Sequence, residues 1–228
     1  MKVCTSNDGR YFLKKIENPK KYFALLVIFW IVHILIYFIT ENLYPQESWH
    51  IVHSKLDDMI PFVEYFIIPY VGWFVMLLVT VLYFFVKDRP SCDRFHIYLF
   101  VLDIIGYLVY IIYPTTVDFQ PTEFPRDNIF TDFVKFIYSA DQTSNACPSF
   151  HVAYAIAIGS VWSKSKNIRF SVKGLIWIFV ALVCLATVFI KQHSTSDFFW
   201  ALPMCLLAEW VAYGKSYWIP KFKKQKHI

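Results

Sequence analysis

Residues 145–159 read NACPSFHVAYAIAIG, so that Pro148, Ser149 and His151 stand directly before a run of apolar residues. Proline is favoured in the first turn of a helix and serine is a common capping residue. The stretch therefore predicts an apolar helix that begins near Ser149 and carries a histidine in its first turn.

A second stretch repeats this arrangement. Residues 189–203 read FIKQHSTSDFFWALP, with His193 and Asp197 before another apolar run. The two side chains are four residues apart and share one face if this segment is helical, but not if it is extended. The sequence thus predicts two apolar helices that both begin among polar, titratable side chains.

The whole chain has the composition of a membrane protein. Of its 228 residues, 57% are hydrophobic and 20% aromatic, which is too apolar for a soluble domain of this length. About 20 apolar residues cross a bilayer as a helix. We therefore predict an all-α fold, a single domain over residues 1–228 that forms a polytopic six-helix transmembrane bundle. The six predicted spans are residues 22–40, 65–86, 96–113, 150–162, 174–190 and 197–213.

The distribution of Lys and Arg predicts how the bundle is oriented. Eighteen of the 22 basic residues fall in segments on the same side as the N-terminus. These segments are residues 1–21, 87–96, 163–173 and 214–228. Basic residues are enriched on the cytoplasmic side, so both termini are predicted to be cytoplasmic. The net charge of +5 then reflects topology and contact with anionic lipid headgroups, and no nucleic-acid partner is implied.

Two further segments bear on the organisation of the chain. The N-terminal lead is long and its apolar run has no small-residue cleavage site, so the first span is predicted to be a retained helix, not a signal peptide. Residues 114–149 form the largest outer segment and begin with a proline-rich stretch. Within it, IFTDFVKFIYSA has apolar residues at helical spacing, which predicts a short interfacial helix between the third and fourth spans.

In this topology both histidine motifs lie at the outer face. Helix N-termini attract anions through their free N–H groups and the helix dipole. An imidazole oriented by a carboxylate can attack phosphorus, and a second imidazole can protonate the leaving oxygen. Taken singly, Ser149 is explained as a helix cap and each histidine as an ordinary interfacial residue. Their combination at one face of the membrane favours a phosphate-handling site.

The two motifs resemble the second and third signature motifs of the type 2 phosphatidic acid phosphatase superfamily. CPSFHVAYA matches the Pro-Ser-x-His element at Pro148, Ser149 and His151, and ATVFIKQHSTSD matches the His-x-x-x-Asp element at His193 and Asp197. The resemblance covers about the second half of the chain. It is strongest to the branch that contains inositol phosphorylceramide synthases and related bacterial membrane proteins.

The resemblance implies a role for each residue. His193 would be the nucleophile that forms a phosphohistidine, and Asp197 would orient it. His151 would protonate the leaving group and then deprotonate the acceptor. Ser149 would bind phosphate oxygens. No metal and no other cofactor is implied.

The chain departs from the family pattern at three places. Phe150 stands where the Pro-Ser-Gly-His form has glycine, and Ala186-Thr187 replaces the Ser-Arg pair before the third motif. The first motif has no clear match, because KDRP at residues 87–90 has the wrong spacing and lies on the cytoplasmic side. The outer basic residues left to bind phosphate are Arg126 and Lys191, with Lys135 as a further outer cation.

Two acidic residues fall inside predicted spans. Asp103 and Glu209 are functional candidates by default, because carboxylates within a membrane are costly. Asp103 is expected about seven residues from the inner surface, and Glu209 near the cytoplasmic end. Both are therefore predicted to lie far from the histidines.

The function predicted first is an integral membrane lipid phosphatase, a phosphoric monoester hydrolase acting at the outer face without metal. The compact chain, with no second binding domain, favours it. A phospholipid or sphingolipid headgroup phosphotransferase would use the same chemistry with a lipid hydroxyl as acceptor. A non-catalytic lipid-binding or transport protein on the same fold is the third interpretation. Metal-dependent alcohol phosphotransferases are excluded, because the chain lacks their glycine-spaced aspartate cluster. The expected location is the cell membrane, with the site facing outside, or the lumen in a eukaryotic source.

Overall fold

A computed structural model describes residues 18–141 and 143–221. The basic N-terminal lead and most of the basic C-terminal tail, on which part of the orientation argument depends, lie outside the described residues. Within them almost all of the regular secondary structure is helical, which confirms the all-α prediction.

Eight α-helices account for most of the described chain. They are α1 (Pro19–Glu41), α2 (Lys55–Met59), α3 (Ile67–Lys87), α4 (Arg89–Ile112), α5 (Ile129–Ala140), α6 (Phe150–Lys164), α7 (Phe170–Phe189) and α8 (Thr195–Tyr213). Two short strands, β1 (His50–Ile51) and β2 (Thr115–Thr116), pair in parallel. Six of the helices coincide with the six predicted apolar segments, and α5 coincides with the predicted short helix. The main difference is α4, which begins seven residues before the predicted span.

The helix starts follow from the capping residues in the sequence. The Asn18 side chain accepts a hydrogen bond from the N–H of Lys20, and Pro19 occupies the first position of α1. Asp88 caps α4 in the same way, again with a proline in the first turn. Each cap satisfies an N–H group that has no partner inside its helix, so these residues fix where the helices begin.

Four of the described helices are long and apolar enough to span a bilayer. They are α1, α3 with the 3₁₀ turn Glu64–Phe66 before it, α4 and α7. This length and composition indicate a membrane protein. The remaining two predicted spans differ: α6 has 15 residues, and α8 carries both Asp197 and Glu209.

Helix α6 forms the centre of the bundle, with α3, α4, α7 and α8 packed around it. Eleven of its 15 residues are buried. Small residues along α6 let its neighbours approach closely; a Cβ added at Gly159 would lie 2.9 Å from the Trp177 ring of α7. Because protein surrounds α6 on its sides, it does not need the uniformly apolar surface of a lipid-facing span.

One end of the bundle, here called the histidine end, carries the starts of α6 and α8. Successive long helices run in opposite directions, so the starts of α3 and the ends of α1, α4 and α7 also lie there. The connection between α1 and α3 and the connection between α4 and α6 cover this end, and the β1–β2 pair joins them. His53 strengthens the tie, since its ring nitrogens lie 2.8 Å from Asp58 and 2.7 Å from Asp118.

Candidate active site

The turn before α6 is anchored to the end of α4 and the strand that follows. Thr115 accepts a hydrogen bond at its Oγ1 from the N–H of Cys147, at 2.9 Å, and the Tyr110 hydroxyl donates to the carbonyl of Pro148 at 2.6 Å. Ser149 then caps α6 by accepting from the N–H of Val152 at 3.4 Å, as the sequence predicts. This anchoring fixes the first turn of α6.

The turn between α7 and α8 is equally well defined. Lys191 has a positive φ of 57°, and the next two N–H groups, of Gln192 and His193, both donate to the carbonyl of Thr187 at 3.0 Å. The chain therefore reverses tightly after α7. The reversal carries His193 across to the first turn of α6.

The two histidines meet at this point. Nδ1 of His151 lies 3.3 Å from Nε2 of His193. Nδ1 of His193 lies 2.8 Å from the carbonyl oxygen of Ala146 and 3.2 Å from Oδ2 of Asp197. His193 lies in the bend before Ser194, the cap of α8, so its contact with Asp197 is made across the start of the helix and not along one face of it. His151 completes the group.

These contacts fix the tautomer of His193. A carbonyl oxygen can only accept a hydrogen bond, so Nδ1 of His193 must carry the proton that it shares with Ala146 and Asp197. In the neutral ring Nε2 is then unprotonated, and its lone pair accepts the proton on Nδ1 of His151. The atom with nucleophilic character is therefore the one that faces the second histidine.

Aromatic rings hold His151 from the other side. The Tyr70 ring stacks on it with centroids 4.5 Å apart, and the Trp73 ring lies 4.6 Å away. Nε2 of His151 is buried and makes no hydrogen bond to any described residue. The ring is positioned by packing and by its bond to His193.

Asp197 has a structural role as well as a contact with His193. It is fully buried, and its Oδ2 also accepts from the N–H of Ser194 at 3.2 Å, which forms a capping box at the start of α8. Its other carboxylate oxygen has no hydrogen-bond partner among the described residues.

A cavity of about 330 Å³ opens beside the two histidines. Its wall comes mainly from α1, α3, α6 and the turn before α6, and many of its residues are aromatic. Those named in later arguments are Tyr37, Tyr70, Trp73, Asp141, Gln192 and the two histidines. In the part of the chain that the structure describes, no Lys or Arg lines this cavity.

The cavity reaches the outside of the bundle between α1 and α3. Ile34 and Phe38 of α1 and Phe74 of α3 line it and are also half exposed on the apolar flank. Helix α1 packs mainly against α4, which leaves its side toward α3 less covered. The histidines are thus accessible from the apolar flank of the bundle.

The basic residues proposed from sequence lie away from the cavity wall. Arg126 forms a two-point ion pair with the buried carboxylate of Glu64, with N–O distances of 2.6 and 2.9 Å. Hydrogen bonding to Glu64 raises the pKa of Arg126. Lys191 donates to the carbonyl oxygens of Asp57 and Ile60, both at 2.5 Å. Burial lowers the pKa of Lys191, and nearby carboxylates offset this only in part.

The two remaining sequence candidates are placed differently. Lys135 lies on α5, exposed, 3.5 Å from both Asp127 and Asp132. Ser149 is fully buried beneath the turn and does not line the cavity. The group that the structure brings together at the cavity is therefore His151 and His193, with Asp197 behind His193.

Phe150, which occupies the motif's glycine position, packs into a gap on α4. A Cβ added at Gly106 would lie 2.4 Å from the Phe150 ring, so only glycine leaves room for that ring. The ring also packs edge-on against Tyr107 and Tyr110. The Phe150 ring beside His151 thus fits because Gly106 has no side chain.

Sequence reasoning missed a polar cluster at the inner end of the cavity. Nδ1 of His33 lies 3.2 Å from Asp103, and the Tyr154 hydroxyl donates to the same carboxylate. The prediction that Asp103 lies far from the histidines is wrong. Because α4 begins at Arg89, Asp103 is about 21 Å along the helix at 1.5 Å per residue, close to two cavity-lining side chains.

Glu209 lies at the opposite end of the bundle, as predicted. It accepts from Ser160 at 2.6 Å and pairs with Lys164 at 2.7 Å. Within the described residues, no group of three or more His, Cys, Asp or Glu side chains is arranged to hold a metal ion. The expectation of metal-independent chemistry stays a prediction.

Comparison of the chain with protein-family models, curated proteins and solved structures gave no match. The resemblance of the two motifs to the phosphatidic acid phosphatase superfamily therefore stays a prediction that rests on those residues.

Proposed function

We propose that this protein is an integral membrane enzyme that cleaves a phosphate ester of a lipid through a phosphohistidine on His193. The observation that carries the proposal is the contact of Nδ1 of His193 with the carbonyl of Ala146, from which the tautomer follows. Nε2 of His193 is then the nucleophile, and it faces His151 beside a cavity that opens toward the apolar flank. A nucleophile, a proton donor and a lipid-accessible space thus lie together.

The proposed first step forms a bond between phosphorus and Nε2 of His193. For this step His151 is doubly protonated, because its ring takes up a proton from water together with the anionic substrate. The bond from phosphorus to the lipid oxygen breaks, Nδ1 of His151 gives its proton to that oxygen, and a neutral imidazole remains. Asp197 and the carbonyl of Ala146 hold the proton on Nδ1 of His193 and stabilise the positive charge that develops on its ring. No phosphorus atom fits between nitrogens 3.3 Å apart, so the substrate must replace the His151–His193 hydrogen bond.

In the proposed second step the acceptor attacks the phosphohistidine. His151, now a neutral imidazole with Nδ1 unprotonated, removes the acceptor's proton while the acceptor oxygen bonds to phosphorus and the bond to Nε2 of His193 breaks. With water as acceptor the enzyme is a lipid phosphatase. Both histidines then return to their starting protonation states, so the cycle is balanced.

A headgroup phosphotransferase is the second candidate function, favoured by one specific observation. A phosphate monoester carries nearly two negative charges near neutral pH, yet no Lys or Arg in the described chain lines the cavity. A phosphodiester carries only one. A diester substrate, with a lipid hydroxyl as acceptor, suits this electrostatic environment better.

The proposed membrane arrangement has six spans with both termini in the cytoplasm. Helices α6 and α8 complete the count, because neighbouring helices shield α6 and the exposed side chains of α8, such as Phe199, Leu206 and Trp210, are apolar. The excess of Lys and Arg on the N-terminal side supports this orientation, in which the histidine end faces the outside of the cell membrane, or the lumen of a eukaryotic organelle.

Purified protein in detergent provides the test. A panel of lipid phosphates and phospholipids would be incubated without added metal, with and without diacylglycerol or ceramide. Free phosphate and new lipid products would both be quantified. His193→Ala tests the nucleophile, and His50→Gln is the matched control, because His50 lies at the same end but stacks on Tyr113 away from the cavity.

Phosphate release that His193→Ala abolishes and His50→Gln retains would support the phosphatase. A new phospholipid formed only with an acceptor would support the phosphotransferase. If folded protein turns over none of these lipids, or if His193→Ala is fully active, the proposal fails and a lipid-binding function is favoured.

A further inference from the structure

The cavity wall combines aromatic rings with one carboxylate. Tyr37, Tyr70, Trp73 and five other aromatic residues line it, and Asp141 is its acidic residue in the described chain. The five others are Phe38, Phe74, Tyr110, Phe150 and Tyr154. Aromatic faces and a carboxylate both attract cations, so this wall is built for positive charge even though the proposed reaction concerns an anion.

Asp141 is held firmly at the end of α5. Its Oδ1 accepts from the Tyr37 hydroxyl at 2.7 Å, and its Oδ2 lies 3.2 Å from Nε2 of Gln192 and 3.5 Å from the Tyr70 hydroxyl. The described residues supply no Lys, Arg or His partner that would neutralise it. Its negative charge therefore acts on whatever occupies the cavity.

Two residues connect this carboxylate to the histidine pair. The ring of Tyr70 stacks on His151 while its hydroxyl approaches Asp141. Gln192, which also contacts Asp141, directly precedes His193. A ligand that spans both features would carry a phosphate near His193 and a cation a few bonds away.

We infer that the cavity binds a phosphodiester headgroup bearing a quaternary ammonium, the phosphocholine group of a phospholipid. In phosphocholine two carbon atoms separate the phosphate oxygen from the ammonium nitrogen. A quaternary ammonium donates no hydrogen bonds, and the oxygens of Asp141 are already occupied by hydroxyl and amide donors, so charge and aromatic contact suffice for recognition. The reaction of this ligand rests on the proposed function, whereas its binding does not.

The step that follows is balanced if phosphatidylcholine is the donor. Nε2 of His193 bonds to phosphorus, the bond from phosphorus to the glycerol oxygen breaks, and His151 protonates that oxygen. Diacylglycerol leaves, and phosphocholine remains on His193. Water or a lipid hydroxyl then takes the phosphocholine group and returns its proton to His151.

Binding is measured first, on the His193→Ala protein, which cannot react. Short-chain phosphatidylcholine, phosphatidylethanolamine, phosphatidylglycerol and phosphatidic acid would be titrated below their micelle concentrations, by calorimetry and by the change in tryptophan fluorescence. We expect phosphatidylcholine to bind at least about tenfold more tightly than phosphatidylglycerol, a difference of about 1.4 kcal/mol. Equal affinities, or a preference for phosphatidic acid, would overturn the inference. A preference for phosphatidylethanolamine would overturn the quaternary specificity.

A charge-removing variant tests the role of the carboxylate. Asp141→Asn keeps the shape of the side chain and should lower phosphatidylcholine affinity about tenfold while leaving phosphatidylglycerol affinity unchanged or improved. Loss of both would indicate misfolding, so Tyr37→Phe, which only removes one bond to Asp141, would then be compared for a smaller loss of the same preference. Asp132→Asn is the matched control, because Asp132 lies exposed on the same helix. An unchanged lipid preference in folded Asp141→Asn contradicts the inference.

Turnover of the unmodified protein separates this inference from the proposed function. Selective phosphatidylcholine binding without any product would support the headgroup site and contradict the enzyme. Turnover of phosphatidic acid without selective phosphatidylcholine binding would support the enzyme and contradict the headgroup site.

Discussion

The starts of α6 and α8 lie side by side, yet they are capped by different groups. At α8 the carboxylate of Asp57, on α2, accepts from the N–H of Thr195 at 2.8 Å and from the Ser194 hydroxyl at 2.5 Å. At α6 the cap is the neutral hydroxyl of Ser149. An internal anion thus occupies the positive end of α8, and no internal carboxylate caps α6.

This difference divides the work between the two helices. At the start of α8 the carboxylate of Asp57 already accepts the available hydrogen bonds, so the role of this helix start is to hold His193 and Asp197 in place. The start of α6 retains its positive dipole beside the cavity and presents His151 to it. The sequence predicts two equivalent anion sites, whereas the structure indicates one that is open to a ligand and one that is filled.

Among variants that keep the nucleophile His193, the largest effect is expected from removing the imidazole of His151 on α6. His151→Ala should lower turnover about 10²- to 10⁴-fold, the range associated with general acid–base catalysis. An activated aryl phosphate ester needs less protonation of its leaving oxygen. Formation of the phosphohistidine from this ester should therefore be slowed far less by His151→Ala. Burst kinetics on an aryl ester and steady-state turnover on a lipid would show this contrast. An equal loss of rate with the aryl ester and with the lipid would show that His151 only supports the structure.

A smaller effect is expected from the carboxylate behind His193. Asp197→Asn should lower turnover about 10- to 100-fold, less than the ~10⁴-fold that the equivalent change costs in a serine protease triad. The reason is that the carbonyl of Ala146 still holds the proton on Nδ1. A loss as large as that of His193→Ala would contradict this explanation. The pH dependence of turnover and thermal unfolding would be recorded alongside.

The filled start of α8 predicts an effect on stability. Burial alone would raise the pKa of Asp57, but its hydrogen bonds from Ser194, Thr195 and Ser54 outweigh burial and hold that pKa below its ordinary value. The stabilisation is then complete above the unfolded pKa of about 3.9 and is lost as the pH falls through the folded value. Asp57→Asn should cost about 1–3 kcal/mol at neutral pH.

Unfolding midpoints in detergent from pH 7 into the acid range would test this. Asp57→Asn should unfold earlier at pH 7 and approach the unmodified protein in strong acid. Glu47→Gln is the matched control, at an exposed carboxylate between α1 and α2. A constant difference at every pH would show that the charge of Asp57 contributes nothing.

The smallest effect is expected at the arginine proposed from sequence. Because Arg126 pairs with Glu64 and does not line the cavity, the double variant Arg126→Gln with Glu64→Gln should change the Michaelis constant by less than about twofold. The double variant avoids leaving Glu64 buried and unpaired. A rise of tenfold or more, measured by initial rates over a substrate series, would restore Arg126 as a phosphate ligand.

The sequence predicted the features that depend on residues close together in the chain. Apolar run length predicted the helices. The spacing of His193 and Asp197 predicted a shared face only for a helical entry, whereas the two side chains meet because His193 lies in the bend before the cap of α8. Asp57 and Asp141 were not predicted, because each acts through partners more than 50 residues away that only folding brings near. Arg126 was given a phosphate-binding role because its partner, Glu64, is 62 residues distant in the chain.

The most direct test of the account is to trap the phosphorylated protein. The unmodified protein, His193→Ala and the His50→Gln control would be mixed with a substrate labelled at phosphorus, quenched in alkali and digested for mass spectrometry. The account predicts an alkali-stable, acid-labile phosphate adduct on the peptide that contains His193, present in the control and absent from His193→Ala. Turnover with no adduct on His193, or with the adduct on another residue, would contradict it.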